Sequence, residues 1–199
     1  KLIKNLQGPR FMKWGYGSFK FSRPIRWVVS LYNNEILDFE FDECDPRISI
    51  GNKSKSHRLF NKFIEINNPD NYFVLMEKNG VLVKREERKE KILDLVHHKS
   101  QSLNLQPDLS EDLLNELTDL VESPNLVKGN FDNLFLNLPV EVLSTVMKSH
   151  QRYIPLYKIE KDINKLEINS KNILSTKFLC ISNGLEESKE IITKGNEKV

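Results

Sequence analysis

The chain has 199 residues, enough for one sizeable core or two small ones. Its 39% hydrophobic and 29% charged content is ordinary for a water-exposed globular protein, and no apolar run approaches the roughly 18 residues needed to span a bilayer. The net charge of +2 hides an uneven distribution: 12 basic against 6 acidic residues over 1–62, 8 against 15 over 63–147, and 10 against 7 thereafter. Lys1, Lys4, Arg10, Lys13, Lys20, Arg23 and Arg26 all precede the first carboxylate, Glu35. A basic lobe beside an acidic middle suits contact with a polyanion on one face, or simply a solvated surface. The first residue is Lys and no basic-then-apolar leader follows, so the chain reads as an internal piece of a longer protein. Cys44 and Cys180 match no metal or redox spacing, which fits unpaired thiols in a reducing compartment.

In chain order, the segment to Ser22 is rich in glycine and aromatics, with Trp14-Gly15-Tyr16-Gly17 expected in a loop. Ile25–Tyr32 reads as a buried strand, Asn33-Asn34 as a tight turn, and Leu37, Phe39 and Phe41 as the inward residues of a partner strand. A short strand at Phe63–Ile66, a helix over Pro69–Lys78 and a strand at Val81–Lys84 follow. A helix from Glu86 to about Leu103 should bury Ile92, Leu95, Val96 and Leu103. The next helix starts at an N-cap, Ser110, and buries Leu113, Leu114, Leu117, Leu120 and Val121 before Ser123-Pro124 ends it. A third begins at Pro139 with Val142, Val146 and Met147 inward. Residues 158–171 read as a variable hairpin or a surface excursion, and Phe178–Ser182 as a final strand. The expected class is α+β, a mixed, mostly antiparallel sheet with several packed helices. The expected division is a basic β-rich segment with a hairpin over 1–62 and an α+β remainder over 63–199, packed together.

No glycine spacing offers a phosphate cradle, so ATP binding by this chain is not expected. His57, His97, His98 and His150 have no metal-ligand spacing, and no metal site is expected. His57-Arg58 and His150-Gln151-Arg152 fit either phosphate and ribose contacts or helix capping and solvation. Arg23 and Arg26 flank Pro24-Ile25 in an extended segment, pointing opposite ways, with one expected in a partly buried ion pair. Glu122 and Glu141 have no reacting partner nearby in sequence, so no catalytic residue is expected.

Taken in order, the short motifs resemble one family. Phe11-Met12-Lys13-Trp14-Gly15 and Phe21-Ser22-Arg23-Pro24-Ile25-Arg26-Trp27 are similar to the Met-Arg-Trp-Gly and Arg-Pro-Ile-Arg-Trp stretch of the bacterial-type glycyl-tRNA synthetase beta subunits. Gly51-Asn52 with His57-Arg58, Leu120-Val121-Glu122-Ser123-Pro124, and Gly129-Asn130-Phe131 with Phe135-Leu136 follow in register. So do Leu138-Pro139 with Glu141-Val142, the run Met147-Lys148-Ser149-His150-Gln151-Arg152-Tyr153, Ser182-Asn183, and Gly195-Asn196-Glu197 with Val199. Ser56 replaces the family's usual glycine before the histidine, and Ser54 its common threonine.

The resemblance implies a cytoplasmic ligase that joins glycine to its tRNA with ATP. It further implies an alpha2beta2 assembly in which the alpha subunit holds the active site and the beta subunit helps bind glycine tRNA. The chain would then be a non-catalytic part of the enzyme with no bound cofactor and no membrane partner. Lys13, Arg23, Arg26, His57, Arg58, Lys148, His150, Gln151 and Arg152 are the candidate tRNA contacts. The resemblance also implies a fold like the B3/B4 module of the phenylalanyl-tRNA synthetase beta chain, which edits mischarged tRNA. A hydrolytic editing role, or an acidic middle serving as a scaffold for protein docking, are the alternatives.

Overall fold

The computed structural model describes residues 3–158, 173–184 and 195–196, in two compact units, Lys1–Gly80 and Val81–Val199. Among the described residues it combines small sheets with four α-helices, a mixed α/β architecture. The expected excursion beyond Lys158 lies outside the described residues.

The first unit is built from short pairings. Strands β1 (Met12–Lys13) and β2 (Lys20–Phe21) form an antiparallel pair. Strand β3 (Trp27–Val29) precedes a two-residue hairpin, β4 (Leu31–Tyr32) and β5 (Glu35–Ile36), and then β6 (Ser49–Gly51). Asn33 takes φ 54° in the hairpin turn, as the Asn33-Asn34 signal requires. The long strand expected over Ile25–Tyr32 breaks at Ser30, whose amide donates to Gly51 O at 2.8 Å while its carbonyl accepts from Leu37 N at 3.0 Å. Its first half, β3, therefore pairs with β6, in parallel, and only its second half forms the hairpin. The alternation at Leu37, Phe39 and Phe41 does not make a partner strand. Leu37 is exposed, and Phe41 turns inward to meet Phe19 edge-on at 4.8 Å, so aromatic packing wins over ladder pairing. Strands β7 (Lys53–Lys55) and β8 (Phe63–Glu65) pair antiparallel, placing Ile64 and Ile66 inside, and a 3₁₀ turn leads into α1 (Tyr72–Lys78).

Val81–Lys84, expected as a strand, joins no ladder. Leu82 N donates to Glu122 O, and the Leu82 and Val83 carbonyls are taken by Arg88 Nη1 at 2.9 and 2.7 Å. The second unit proceeds through α2 (Arg85–Leu103), β9 (Leu105–Pro107), α3 (Glu111–Leu120), β10 (Pro124–Asn130), α4 (Val140–Thr145), β11 (Tyr153–Lys158) and β12 (Leu174–Asn183). Its four strands form an antiparallel sheet in the order β10-β12-β11-β9. Asn104 ends α2 in the left-handed conformation, and Ser110 Oγ caps α3 by accepting from Leu113 N. Ile92 and Val96 of α2 and Leu113, Leu114 and Leu117 of α3 pack on Leu126, Ile154, Leu156, Leu179 and Ile181 of the sheet in one core. Leu120 is exposed, contrary to the stripe read from sequence. At Val146 the α4 helix passes into a π-helical turn, Val146–Gln151, which widens the repeat and turns Met147 inward while Val142 and Val146 face outward.

Candidate nucleic-acid interface

The glycines of the Trp14–Gly17 loop let it lie directly on a second strand of chain. A Cβ on Gly15, which has φ 73°, would fall 1.9 Å from Asp45 O, and one on Gly17 would fall 2.2 Å from Glu43 O. Tyr16 N donates to Asp45 O at 3.2 Å and Phe19 N to Glu43 O at 3.1 Å, so backbone bonds fasten the two segments together. Trp14 Nε1 donates to Phe21 O at 2.9 Å, which orients the indole, and Phe19 stacks on Phe21 with centroids 5.9 Å apart. Between the two segments lies a cleft of about 370 Å³ whose lining includes Trp14, Phe19, Arg23, Arg26, Asp45 and Arg47.

The three arginines are exposed, and among the described residues none has an ion-pair partner. The buried, paired arginine expected at position 23 or 26 is therefore absent. Pro24 and a following extended stretch leave both arginines exposed and in the lining of one cleft rather than dividing them between a core and a surface. Arg47 is the cleft arginine to which the sequence pattern points least. Its one signal there is that it is the lone cation between positions 27 and 52.

Lys13 and Arg58 are exposed on the same unit. His57 is different: it is 0% exposed, its amide donates to Asn79 O at 2.9 Å, its carbonyl accepts from Phe60 N, and its Nδ1 faces Leu59 N at 3.4 Å. A ligand cannot reach this side chain without opening the fold. Gly80 explains its tight seat, because a Cβ there would lie 2.9 Å from the His57 Cβ.

The remaining candidates sit on the second unit at the π-helical turn, which closes at Arg152 with φ 56°. Lys148 Nζ pairs with Asp108 Oδ2 at 2.6 Å and Arg152 Nε with Glu116 Oε1 at 2.5 Å. His150 and Gln151 are exposed. The two cations here are already neutralised locally, whereas Lys13, Arg23, Arg26, Arg47 and Arg58 have no carboxylate partner among the described residues. Several motif residues prove to be structural: Asn183 Oδ1 accepts from both Glu122 N and Ser123 N at 3.0 Å, fastening the end of β12 to the start of β10. Glu122 and Glu141 are exposed.

Burial pushes the Cys180 thiol up to about 11, and burial followed by the Cys180 charge raises the Tyr153 hydroxyl, which lies 3.2 Å from Asn196 Oδ1. Cys44 is raised by burial and then by Glu43. These are packed groups rather than activated ones. Among the described residues no group of three His, Cys, Asp or Glu is placed to hold a metal ion, and no helix is long and apolar enough to cross a membrane.

Arginines at the edge of an aromatic-lined cleft are the arrangement that contact with a polyanion would use, but fold and charge alone define no more than a mixed α/β chain with one basic face. The comparison with known proteins is more specific: residues 1–199 match the glycyl-tRNA synthetase beta subunit family throughout, and the chain belongs to that family. Among its relatives, the glycine–tRNA ligase beta subunit of Trichodesmium erythraeum (strain IMS101) is 42% identical over 100% of this chain and 27% of its own length. That of Dictyoglomus turgidum (strain DSM 6724 / Z-1310) is 40% identical with the same coverage, and that of Acaryochloris marina (strain MBIC 11017) 39% identical over 99% of this chain and 26% of its own. The chain thus spans about a quarter of the length of the relatives it matches.

Proposed function

We propose that this chain is a tRNA-holding, non-catalytic part of a glycine–tRNA ligase beta subunit, its first unit meeting the RNA sugar-phosphate backbone while an alpha subunit performs the ATP-dependent ligation. The whole enzyme would be an alpha2beta2 assembly in the cytoplasm, with ATP used outside this chain. The observation that carries the reading is the set of exposed cations Lys13, Arg23, Arg26, Arg47 and Arg58, none paired with a carboxylate among the described residues. Held on a fixed scaffold, such groups gain phosphate contacts and release counterions without first breaking an internal ion pair. Lys148 and Arg152 would have to surrender Asp108 and Glu116 to do the same, so they are secondary contacts. His57, being buried, has no place in the contact set.

Two helices over an antiparallel sheet are compatible with a B3/B4-like module, and that likeness belongs to the same proposal. The test is aminoacylation by the complete alpha and beta subunits with Lys13, Arg23 and Arg58 replaced together by glutamine. The expected result is a raised KM for tRNA with kcat largely retained. An unchanged KM removes the proposal.

A further inference from the structure

We propose that the cleft walled by Trp14 and Phe19 takes a single unpaired nucleotide of the RNA, its base inside and its phosphates on the arginines. This inference rests on the reading of the first unit as an RNA contact and adds what part of the RNA the cleft admits. A flat patch of cations would recognise any backbone, paired or not. This surface is concave instead: its volume of about 370 Å³ lies in the range that encloses a small molecule and suits one nucleotide, not a helix.

The lining is divided by chemistry. Trp14, Phe19 and Phe21 supply apolar, π-bearing surface of the kind on which unstacked bases pile. Arg23, Arg26 and Arg47 supply cations from both bordering segments, 14–26 and 44–48, so phosphates on either side of an inserted base find a partner. Asp45, on the same wall as Arg47, adds a carboxylate that repels phosphate and accepts hydrogen bonds from exocyclic amines or ring N–H groups of a base. A site for phosphate alone has no use for that carboxylate or for the aromatic floor. The walls are also fixed in advance, because Gly15 and Gly17 bring the two segments into backbone contact and the Trp14 indole is held by Phe21 O. Preformed walls lower the ordering cost of taking up a flexible single strand.

The experiment compares two probes on the complete beta subunit: a tetraribonucleotide, and an abasic tetramer with the same number of phosphates. The base-bearing probe is expected to bind about tenfold more tightly, the order of one stacked base. Replacing Arg23, Arg26 and Arg47 by glutamine should weaken both probes, and Trp14→Leu should erase the difference between them. Lys13→Gln, outside the cleft lining, should weaken whole tRNA without altering the preference for bases. Equal binding of the two probes by the unaltered protein, or a preference that survives Trp14→Leu, overturns the nucleotide cleft while leaving the phosphate contact standing. If the arginine and Lys13 variants all hold tRNA as tightly as the parent, the underlying reading of the first unit fails as well.

Discussion

Replacing Gly129 by alanine probes how closely the sheet of the second unit is packed. Gly129 lies directly opposite Phe178 in the β10–β12 ladder, and an added Cβ would sit 2.3 Å from its Cζ and 2.8 Å from Cε1 and Cε2. That is about 1 Å inside ordinary carbon–carbon contact. The ring has little freedom to retreat, being 3% exposed and stacked on Tyr153 with centroids 4.5 Å apart and planes 15° from parallel. Overpacking of this kind costs about 1–3 kcal/mol, and the roughly 0.5–1 kcal/mol that alanine saves in backbone entropy offsets only part of it. With a urea m-value of about 1–3 kcal/mol/M, the unfolding midpoint should fall by roughly 0.5–1 M. The assay is urea unfolding of the parent chain, Gly129→Ala, Phe178→Leu and the double variant. Because leucine vacates the space the new methyl needs, the double variant should be more stable than the two single costs combined would allow. A Gly129→Ala chain as stable as the parent, or costs that add within about 0.5 kcal/mol, would refute the steric reasoning.

Three further outcomes are open to measurement. Ser110→Ala should lower stability by about 1 kcal/mol through loss of the α3 cap, read from the urea midpoint, and no change would show that Leu113 N finds an equivalent acceptor. The Arg85 guanidinium holds the Asp119 carboxyl below its ordinary value of 3.8, through Nε–Oδ1 at 2.7 Å and Nη2–Oδ2 at 3.1 Å. A depressed carboxylate stabilises the fold above its unfolded value and loses that contribution as pH falls through the folded one. The stability difference between the parent and Asp119→Asn should therefore be small, present at neutral pH, and shrink as pH drops below 3.8, and a pH-independent difference would contradict the pairing. At mildly alkaline pH, alkylation followed by mass spectrometry should mark Cys44 before Cys180, whose thiol is both more deeply buried and pushed up to about 11; the reverse order would contradict that burial.

The long helices were legible because their signals are local. Leucines at helical spacing, Ser110 ahead of Glu111 and Asp112, and the run from Arg85 to Leu103 need no tertiary information. The sheet they cover was largely hidden because three of its four strands carry a proline. Pro124 is the first residue of the edge strand β10, Pro107 closes the other edge strand β9, and Pro155 sits in β11 beside a register shift. Read singly, each proline marks a break. In the first unit the parallel β3–β6 pairing joins residues more than twenty positions apart, and no periodicity announces such a partner.

Of the candidate contacts, the exposure of the early cations was legible in the sequence and their grouping was not. Lys13, Arg23 and Arg26 are exposed cations, as the run of early positive charge anticipates, and Arg58 is an exposed cation of the same unit from beyond that run. Arg47 escaped because it follows an acidic stretch, and folding the 43–48 segment onto the Trp14–Gly17 loop is what brings it to the other two arginines. His57 misled because a histidine beside an arginine looks the same whether it faces solvent or core.

The most direct test of the central claim is the salt dependence of tRNA affinity for the complete alpha and beta enzyme, with and without Lys13, Arg23 and Arg58 replaced by glutamine. If these three cations each hold a phosphate, the slope of log affinity against log salt should become shallower by about 2–3 in the variant. Two parallel lines of equal affinity would contradict the claim.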